Sequence, residues 1–250
     1  LPTETVPAVL VPTSLRRRGP LFIWAWIYDT RSSDVADLLR EYGGAVIDVV
    51  SPDWYYLAED LSVKPFENRG AEDPGFLELT RGVGVQIMPM VVSSKADRVL
   101  KLITNESAVK GFAERLVELA GRFKYVGFNI DFEVSLPAYR SEFARFVDLV
   151  AKRLHEAGLL LSVAVPAKRM EFQSAYLQTY DYELLGKTDV DYVMIMAYDY
   201  YEAAGPKPVA PLGWVEECVE YALRYIRPEK LVLGVPNYGK LWDRGGKLLR

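Results

Sequence analysis

The residues of this sequence whose types and spacing could do chemistry lie in the segment YVGFNIDFEV, residues 125–134. Apolar residues alternate there with Asn129, Asp131 and Glu133, which is the period-two pattern of a β-strand. Residues two apart in a strand point the same way, so the amide and the two carboxylates form one row. Two carboxylates buried together tend to share a proton, which raises one apparent pKa. The row therefore predicts a general acid that works near neutral pH.

The position of each carboxylate along the strand predicts its task. Glu133 is nearest the C-terminal end of the strand, so it can reach a substrate, while Asp131 lies one step deeper and can hold or exchange a proton with it. The alternative interpretation is a structural polar network, or a row paired with an inward-pointing lysine. If a second carboxylate acts across the cleft, the candidates are Asp48, Asp53 and Asp199. The spacing does not decide between a second carboxylate of the protein and a mechanism in which a group of the substrate itself acts as the nucleophile.

The elements that must position these residues follow a regular alternation from residue 20 onwards. Short apolar runs predict strands at 21–27, 45–52, 83–92, 125–134, 159–166, 190–199 and 230–239. Apolar residues at helical spacing predict helices at 32–43, 107–123, 138–158 and 214–226, with Gly158 as a helix stop. Strands that alternate with helices predict a parallel sheet, hence an α/β protein.

Polar and aromatic side chains at the carboxyl ends of the predicted strands distinguish between two parallel architectures. A (β/α)₈ TIM barrel builds its site from many such strand ends, whereas an open nucleotide-binding sheet has a glycine-rich turn after its first strand. The segment IWAWIYDTRSSD has no such turn, so the barrel is favoured. The strand-end residues are Asp53, Trp54, Asp131, Glu133, Lys168, Tyr198, Asp199 and Tyr238.

The predicted strands number seven, one fewer than this barrel requires. Only LWDRGGKLLR follows the seventh, so the eighth strand is apparently missing and the barrel predicted for 20–250 is incomplete at its C-terminus. We expect an unpaired seam between the first and seventh strands. Residues 1–19 are predicted to be a leader or linker.

Composition excludes several classes of function. The net charge of −4 and the lack of basic clusters argue against nucleic acid as a partner. The sequence has no run of 18 apolar residues, so no membrane span is predicted. A single cysteine and a single histidine exclude a disulfide framework and the usual Cys/His zinc site. His155 is predicted to be a partly exposed helix residue, and Cys218 a buried apolar residue on a helix.

Aromatic residues crowd the predicted strand ends and the loops beside them. Each one alone is explained by packing, but together with carboxylates they suit sugar rings, whose apolar faces stack on aromatic side chains. Carboxylates and aromatic residues together indicate glycoside hydrolysis. The aromatic set is Trp24, Trp26, Trp54, Tyr55, Tyr56, Tyr198, Tyr200, Tyr201, Trp214, Tyr238 and Trp242.

The stretch VGFNIDFE resembles the signature DxxDxDxE of glycoside hydrolase family 18. Asp131 and Glu133 match its last Asp and its Glu, whereas Val126 and Asn129 stand at the earlier Asp positions. The segments SVAVPAK (162–168), MAYDY (196–200) and KLVLGVPNYGKLW (230–242) resemble later strands of the family. The combination is most similar to a branch of bacterial spore and peptidoglycan-hydrolysing enzymes, in which NIDFE is usual.

The resemblance implies a retaining, substrate-assisted hydrolase of β-linked N-acetylglucosamine glycans, with chitin and peptidoglycan both open as substrates. Glu133 would be the general acid and base, Asp131 would orient the substrate acetamide, and Tyr198 would hydrogen-bond its carbonyl. The supporting or substrate-binding residues would be Asn129, Met196, Asp199, Trp54 and Tyr238.

The resemblance also bears on cofactors, partners and location. It implies no metal or organic cofactor, and a glycan containing N-acetylglucosamine as the partner. Secretion or attachment to the cell wall is inferred from that substrate class alone, and the oligomeric state is not predicted. The competing hypotheses are a non-catalytic glycan-binding module on the same scaffold and a trimmed fragment with no function of its own.

Overall fold

A computed structural model of the chain describes residues 22–170, 174–200 and 206–249. The predicted leader or linker, residues 1–19, and Tyr201 lie outside the described residues. The strands are β1 (Trp24–Ile27), β2 (Val49–Pro52), β3 (Tyr55–Leu57), β4 (Val63–Pro65), β5 (Gln86–Ile87), β6 (Met90–Ser93), β7 (Gly127–Phe132), β8 (Leu160–Pro166), β9 (Tyr192–Met196) and β10 (Leu231–Gly234). The helices are α1 (Ser33–Tyr42), α2 (Pro74–Val83), α3 (Ala96–Ile103), α4 (Glu106–Phe123), α5 (Arg140–Glu156), α6 (Ala175–Gln178), α7 (Tyr182–Gly186) and α8 (Leu212–Ala222).

The barrel strands lie side by side in the same order as they follow along the chain, as in a (β/α) barrel. One sheet has the order β1-β2-β5 and the other the order β10-β9-β8-β7-β6-β3-β4, and every pairing is parallel except that of β3 with β4. The second barrel strand comprises β2 and β3, and the third comprises β5 and β6. All seven predicted strands are present, and the predicted parallel α/β barrel is confirmed.

The barrel is open between its first and seventh strands in the part of the chain that the structure describes. No pairing joins β1 to β10 there, and no further parallel strand follows β10 up to residue 249. An antiparallel bridge between Trp242 and Leu248 closes a turn at that end of the described chain. The expected unpaired seam is therefore present among the described strands.

The helices cover the outside of the sheet through their apolar faces. Every residue of β8 is buried, as expected of a central parallel strand covered on both sides. Helix α5 buries its predicted apolar face, and Gly158 follows it with a φ of 71°, a left-handed conformation that suits glycine. The buried residues of that face are Phe143, Phe146, Val147, Val150 and Leu154.

The four predicted helices correspond to α1, α4, α5 and α8, whereas α2, α3 and the short α6 and α7 were not predicted. His155 lies on α5 as predicted, where its Nε2 is 2.9 Å from Oδ2 of Asp191. Cys218 is buried on α8, also as predicted, and burial raises the pKa of its thiol to about 11. Among the described helices, none combines the length and the apolar character needed to cross a lipid bilayer.

Candidate active site

The row of polar side chains on β7 becomes more exposed towards the carboxyl end of the strand. Asn129 is completely buried, Asp131 is partly exposed and Glu133 is exposed. The alternate residues Phe128, Ile130 and Phe132 point to the other side and are buried. The strand therefore presents one face to the helices and the polar row to the inside of the barrel, as the period of two predicts.

Asn129 forms the base of the row. Its Nδ2 donates to Ser162 Oγ at 2.7 Å and to Met194 Sδ at 3.0 Å, which ties β7 to β8 and β9. An amide does not titrate in this range of pH, so Asn129 cannot exchange a proton with the carboxyl groups of the row.

Asp131 holds a proton more tightly than an ordinary aspartic acid. Burial, then the charge of Glu133, then the charge of Asp53 raise its pKa from 3.8 to about 7. Within the described chain, its Oδ1 is buried without a hydrogen-bond partner. A carboxyl with this pKa can both hold and release a proton near neutral pH, which is the property that the sequence predicted for the row.

Glu133 is held at the rim by contacts to its backbone and its carboxylate. Its N–H donates to Ser93 O at 2.8 Å, and the Tyr176 hydroxyl donates to its Oε2 at 3.3 Å. Two further hydrogen bonds fix the strand on either side of it, because the Tyr180 hydroxyl donates to Phe132 O and accepts from Val134 N. These contacts leave the carboxyl group of Glu133 exposed and able to meet a ligand.

A cleft of about 570 Å³ opens beside the row, on the side of β1 and β10. This volume lies in the ordinary range for small-molecule sites. Tyr198 is in its wall, and burial followed by the charge of Asp131 raises the pKa of this tyrosine. The ring of Trp26 lies 6.2 Å from that of Tyr198, and its Nε1 is buried with no hydrogen-bond partner among the described residues.

The loops after β9 and β10 are joined at the edge of this cleft. Oδ1 of Asp199 accepts from the Tyr238 hydroxyl at 2.9 Å and lies 2.6 Å from Nζ of Lys240. Asp199 has a φ of 58°, an uncommon conformation for a residue other than glycine. The Tyr238 ring is 6.3 Å from the Tyr198 ring, so these residues form one aromatic wall.

The structure does not bring all the predicted site residues together. Trp54 was predicted to bind substrate, but it is completely buried in the core, where its Nε1 donates to Thr30 Oγ1 at 3.0 Å and its ring packs on Phe76. It has no exposed face for a sugar, so this expectation is corrected. Met196 ends β9 and is partly buried, whereas Met194, which the sequence did not single out, lines the cleft.

The three candidate second carboxylates occupy different environments. Asp48 is buried at the start of β2, where its Oδ2 accepts from Ile23 N at 2.9 Å, away from the carboxyl ends of the strands. Asp199 is held by Tyr238 and Lys240. Asp53 lines the cleft and is the one whose charge acts on Asp131.

Sequence reasoning missed three residues that shape the site, namely Arg69, Tyr176 and Tyr180. Each lies outside the seven apolar runs, and each reaches the site through a contact with a residue distant in sequence. No local pattern distinguishes these residues from other arginines and tyrosines in the chain.

The chain belongs to glycosyl hydrolases family 18, because the model of that family matches residues 84–248. The matched region contains β7, with Asp131 and Glu133, and β9, with the Tyr198 segment that follows it. The predicted family is thereby confirmed.

Two relatives and one solved structure illustrate the similarity. The uncharacterized glycosylase YvbX of Bacillus subtilis is 32% identical over 149 residues, which are 59% of this chain and 43% of that protein. The cortical fragment-lytic enzyme of Bacillus subtilis is 30% identical over 150 residues, which are 59% of this chain and 35% of that protein. The crystal structure of a chitinase from Chromobacterium violaceum superposes with a TM-score of 0.81 at 26% identity, over 91% of this chain and 72% of that one. The chain thus spans less than half the length of the two relatives.

Proposed function

We propose that the chain hydrolyses β-linked N-acetylglucosamine glycans with retention of configuration, with Glu133 as general acid and base. The observation that carries this proposal is the row on β7, in which an exposed Glu133 stands next to Asp131, a carboxyl with a pKa raised to about 7. The cleft beside the row, with Trp26, Tyr198 and Tyr238 in its wall, supports a sugar as the ligand.

In the first step, Glu133 donates its proton to the glycosidic oxygen and the bond from that oxygen to the anomeric carbon breaks. The carbonyl oxygen of the substrate's own acetamide forms the new bond to the anomeric carbon, which gives a cyclic oxazolinium ion. Asp131 accepts a hydrogen bond from the acetamide N–H and stabilises the positive charge. The Tyr198 hydroxyl donates to the acetamide oxygen and aligns it for attack.

In the second step, the Glu133 carboxylate takes a proton from water, and the water oxygen attacks the anomeric carbon from the side that the leaving group vacated. The bond to the acetamide oxygen breaks, and the acetamide is restored. Two inversions give retention, and the chain needs no second carboxylate as nucleophile. Glu133 ends the second step protonated and ready for the next turnover, and Asp131 supports both steps through its hydrogen bond with the acetamide.

The polymer is proposed from the relatives' names. One relative is a cortical fragment-lytic enzyme and the solved structure is a chitinase, so spore peptidoglycan and chitin are the two candidate polymers. Either one lies outside the cell membrane or in the cell wall, and we propose the same location for this chain.

The test compares Glu133→Gln with the parent chain on N-acetylglucosamine oligomers and on purified peptidoglycan, by measuring the reducing ends released. We expect the variant to lose turnover by roughly 10²-fold or more while it still binds the oligomer, because glutamine keeps the shape but not the proton. Glu118→Gln, on the exposed face of α4, is the matched control and should keep the parent rate. Turnover of Glu133→Gln at the parent rate would refute the assignment.

A second comparison tests substrate assistance. Oligomers in which the acetamides are replaced by free amines lack the internal nucleophile, so the parent chain should not cleave them. If the parent chain binds acetylated oligomers and releases no reducing ends, it is a glycan-binding module instead. The unpaired seam between β1 and β10 is the observation that favours that second candidate.

A further inference from the structure

The helical turn that follows β8 meets the end of β7 through one face. Tyr176, Thr179 and Tyr180 have the i, i+3, i+4 spacing that places side chains on the same side of a helix. Ser174 caps α6, because its side chain accepts from Leu177 N at 3.3 Å. Thr179 keeps a helical conformation, with φ −58° and ψ −35°, so the common face extends beyond the last residue of α6.

Two of these three side chains fix the backbone before and after the proposed general acid. The Tyr180 hydroxyl donates to Phe132 O and accepts from Val134 N at 2.9 Å. The side-chain oxygen of Thr179 accepts from Leu136 N at 2.7 Å. Thr179 and Tyr180 are both completely buried, so these hydrogen bonds are shielded from water. The backbone that carries the acid is therefore held in one place.

The third side chain, Tyr176, contacts the carboxylate itself. Its hydroxyl donates to Oε2 of Glu133 at 3.3 Å, and its ring packs edge-on against that of Tyr180, with 5.5 Å between the ring centres. Within the described chain, no hydrogen bond reaches the other oxygen of Glu133, Oε1. The two oxygens of this exposed carboxyl group are thus distinct, because one faces a fixed donor and the other is free to meet a ligand.

The Tyr176 hydroxyl remains a donor at every pH at which the protein is folded near neutrality. Burial, followed by the effects of Tyr180 and Glu133, raises the pKa of this tyrosine. A hydroxyl that keeps its proton can donate to a carboxylate oxygen throughout a reaction cycle. The contact therefore does not depend on the protonation of Tyr176.

We propose that Tyr176 is a positioning residue that acts through Glu133, because its hydrogen bond to Oε2 keeps the transferable proton on Oε1. A carboxylic acid can carry its proton on either oxygen, and a donor beside one oxygen favours the other as the site of the proton. The inference rests on the proposed function, in which Glu133 is the general acid and base.

The same hydrogen bond assists both proton transfers. In the first step, the proton moves from Oε1 to the glycosidic oxygen while the bond to the anomeric carbon breaks. The negative charge left on the carboxylate is shared with Oε2, where a hydrogen bond to an ionised group is stronger than one to a neutral group. In the second step, Oε1 takes a proton from the attacking water, and the Glu133 carboxyl group is restored.

The first test uses Tyr176→Phe, which keeps the ring that packs on Tyr180 and removes the donor. On an N-acetylglucosamine oligomer, kcat and kcat/KM should both fall roughly tenfold while KM stays at the parent value, because the lost interaction strengthens only as charge develops on the carboxylate. A rise in KM with an unchanged kcat would overturn the proposal, since it would make Tyr176 a substrate-binding residue.

The second test varies the leaving group. A dinitrophenyl group leaves as a stabilised anion without receiving a proton, whereas a sugar alcohol needs one. On the dinitrophenyl glycoside of the N-acetylglucosamine dimer, Tyr176→Phe should therefore keep the parent kcat/KM, which also shows that the variant is folded. Equal losses on the two substrates would overturn the proposal, because a general disturbance of the site affects both.

A control variant and a double variant complete the comparison. Tyr192→Phe is the matched control, because Tyr192 is also partly buried and edge-on to an aromatic ring, that of Trp24 at 5.6 Å, but lies at the start of β9. It should keep the parent rate on both substrates. Added to Glu133→Gln, Tyr176→Phe should lower the residual rate on the oligomer no further, and a further tenfold fall would contradict action through Glu133.

Failure of this inference is distinguishable from failure of the proposed function. A parent chain that cleaves neither the oligomer nor the dinitrophenyl glycoside would overturn the proposed function and this inference with it. A parent chain that cleaves both, with a Tyr176→Phe variant that matches it on both, would overturn only the role of Tyr176.

Discussion

Two neighbouring carboxyl groups on one strand differ in environment at the scale of single residues. The oxygen Oδ1 of Asp131 is buried without a partner in the described chain, whereas Glu133 stands at the rim and receives the Tyr176 hydroxyl. Burial raises the pKa of Asp131 because a charged carboxylate loses its hydration in the barrel. The buried carboxyl group can therefore hold a proton near neutral pH, while the exposed one is accessible to a ligand.

The raised pKa has a cost in stability that depends on pH. Because the folded state binds a proton up to about pH 7 and the unfolded state only up to about 3.8, stability falls as the pH rises between these values. Asp131→Asn removes this cost. We expect it to raise the free energy of unfolding at about pH 8 by on the order of 3 kcal/mol, with the gain disappearing near pH 4. Denaturant unfolding at a series of pH values measures the difference.

Asp60→Asn is the control, because its effect on the free energy of unfolding should have the opposite sign to that of Asp131→Asn. Hydrogen bonds from Ser62 and then Lys64 lower the pKa of Asp60 to about 2, so this carboxylate stabilises the folded state at neutral pH and loses that effect as the pH falls towards 2. The asparagine variant should therefore be less stable than the parent at neutral pH and equal to it in acid. If the gain in the free energy of unfolding of Asp131→Asn did not change with pH, the raised pKa of Asp131 could not be its cause.

At the scale of elements, the end of β7 is fastened by a tyrosine from the segment after β8. Tyr180 is completely buried, and its hydroxyl bonds to the backbone on both sides of Glu133. Tyr182 is equally buried, and its hydroxyl donates to Pro166 O at 2.7 Å at the end of the neighbouring strand β8. The two tyrosines form a matched pair, of which the first bonds to the strand that carries Glu133 and the second to the neighbouring strand β8.

Tyr180→Phe should cost about 1–3 kcal/mol of stability, because it leaves the backbone groups beside Glu133 without their partner. It should also lower the rate of hydrolysis roughly tenfold or more, because a small displacement of the acid is costly in catalysis. Tyr182→Phe should lose stability to a similar degree and keep the rate. Thermal unfolding and initial rates measure the two effects, and equal loss of rate in both variants would show that Tyr180 does not position Glu133.

At the scale of the whole molecule, burial is greatest at the centre of the larger sheet and declines towards the open seam. Every residue of β8 is buried, whereas in β10 only Gly234 is buried and Leu233 is exposed. Val235 and Leu241, which follow β10 in the sequence, are also exposed. Strands at an unpaired edge have fewer contacts that resist local opening.

Hydrogen exchange of this chain should reproduce that gradient. Amides in β8 should exchange slowest, and those in β10 faster by roughly two orders of magnitude or more, because opening at the edge disrupts less of the core. Exchange measured by mass spectrometry on peptides from the two strands provides the comparison. Equal protection of β8 and β10 would show that the seam is covered in solution.

Some elements could be read from the sequence and were missed. Asp73 caps the start of helix α2, because its side chain accepts from Phe76 N at 2.7 Å, and Pro74 stands in the first turn. Gly84 caps the end of the helix with a φ of 74°. These are recognisable start and stop signals. The antiparallel pair β3 and β4 was missed for a different reason, since three-residue strands are too short to show a period.

The sequence by itself determined the seven apolar strand segments, four of the longer helices and the row of Asn129, Asp131 and Glu133, because periods of two and of 3.6 are local properties of the backbone. Only the tertiary structure decided that Trp54 belongs to the core, that Asp53 lines the cleft, and that Arg69 and Tyr180 reach the site. Those facts depend on which distant segments pack together, and the energy of such packing is shared among contacts that no local pattern encodes.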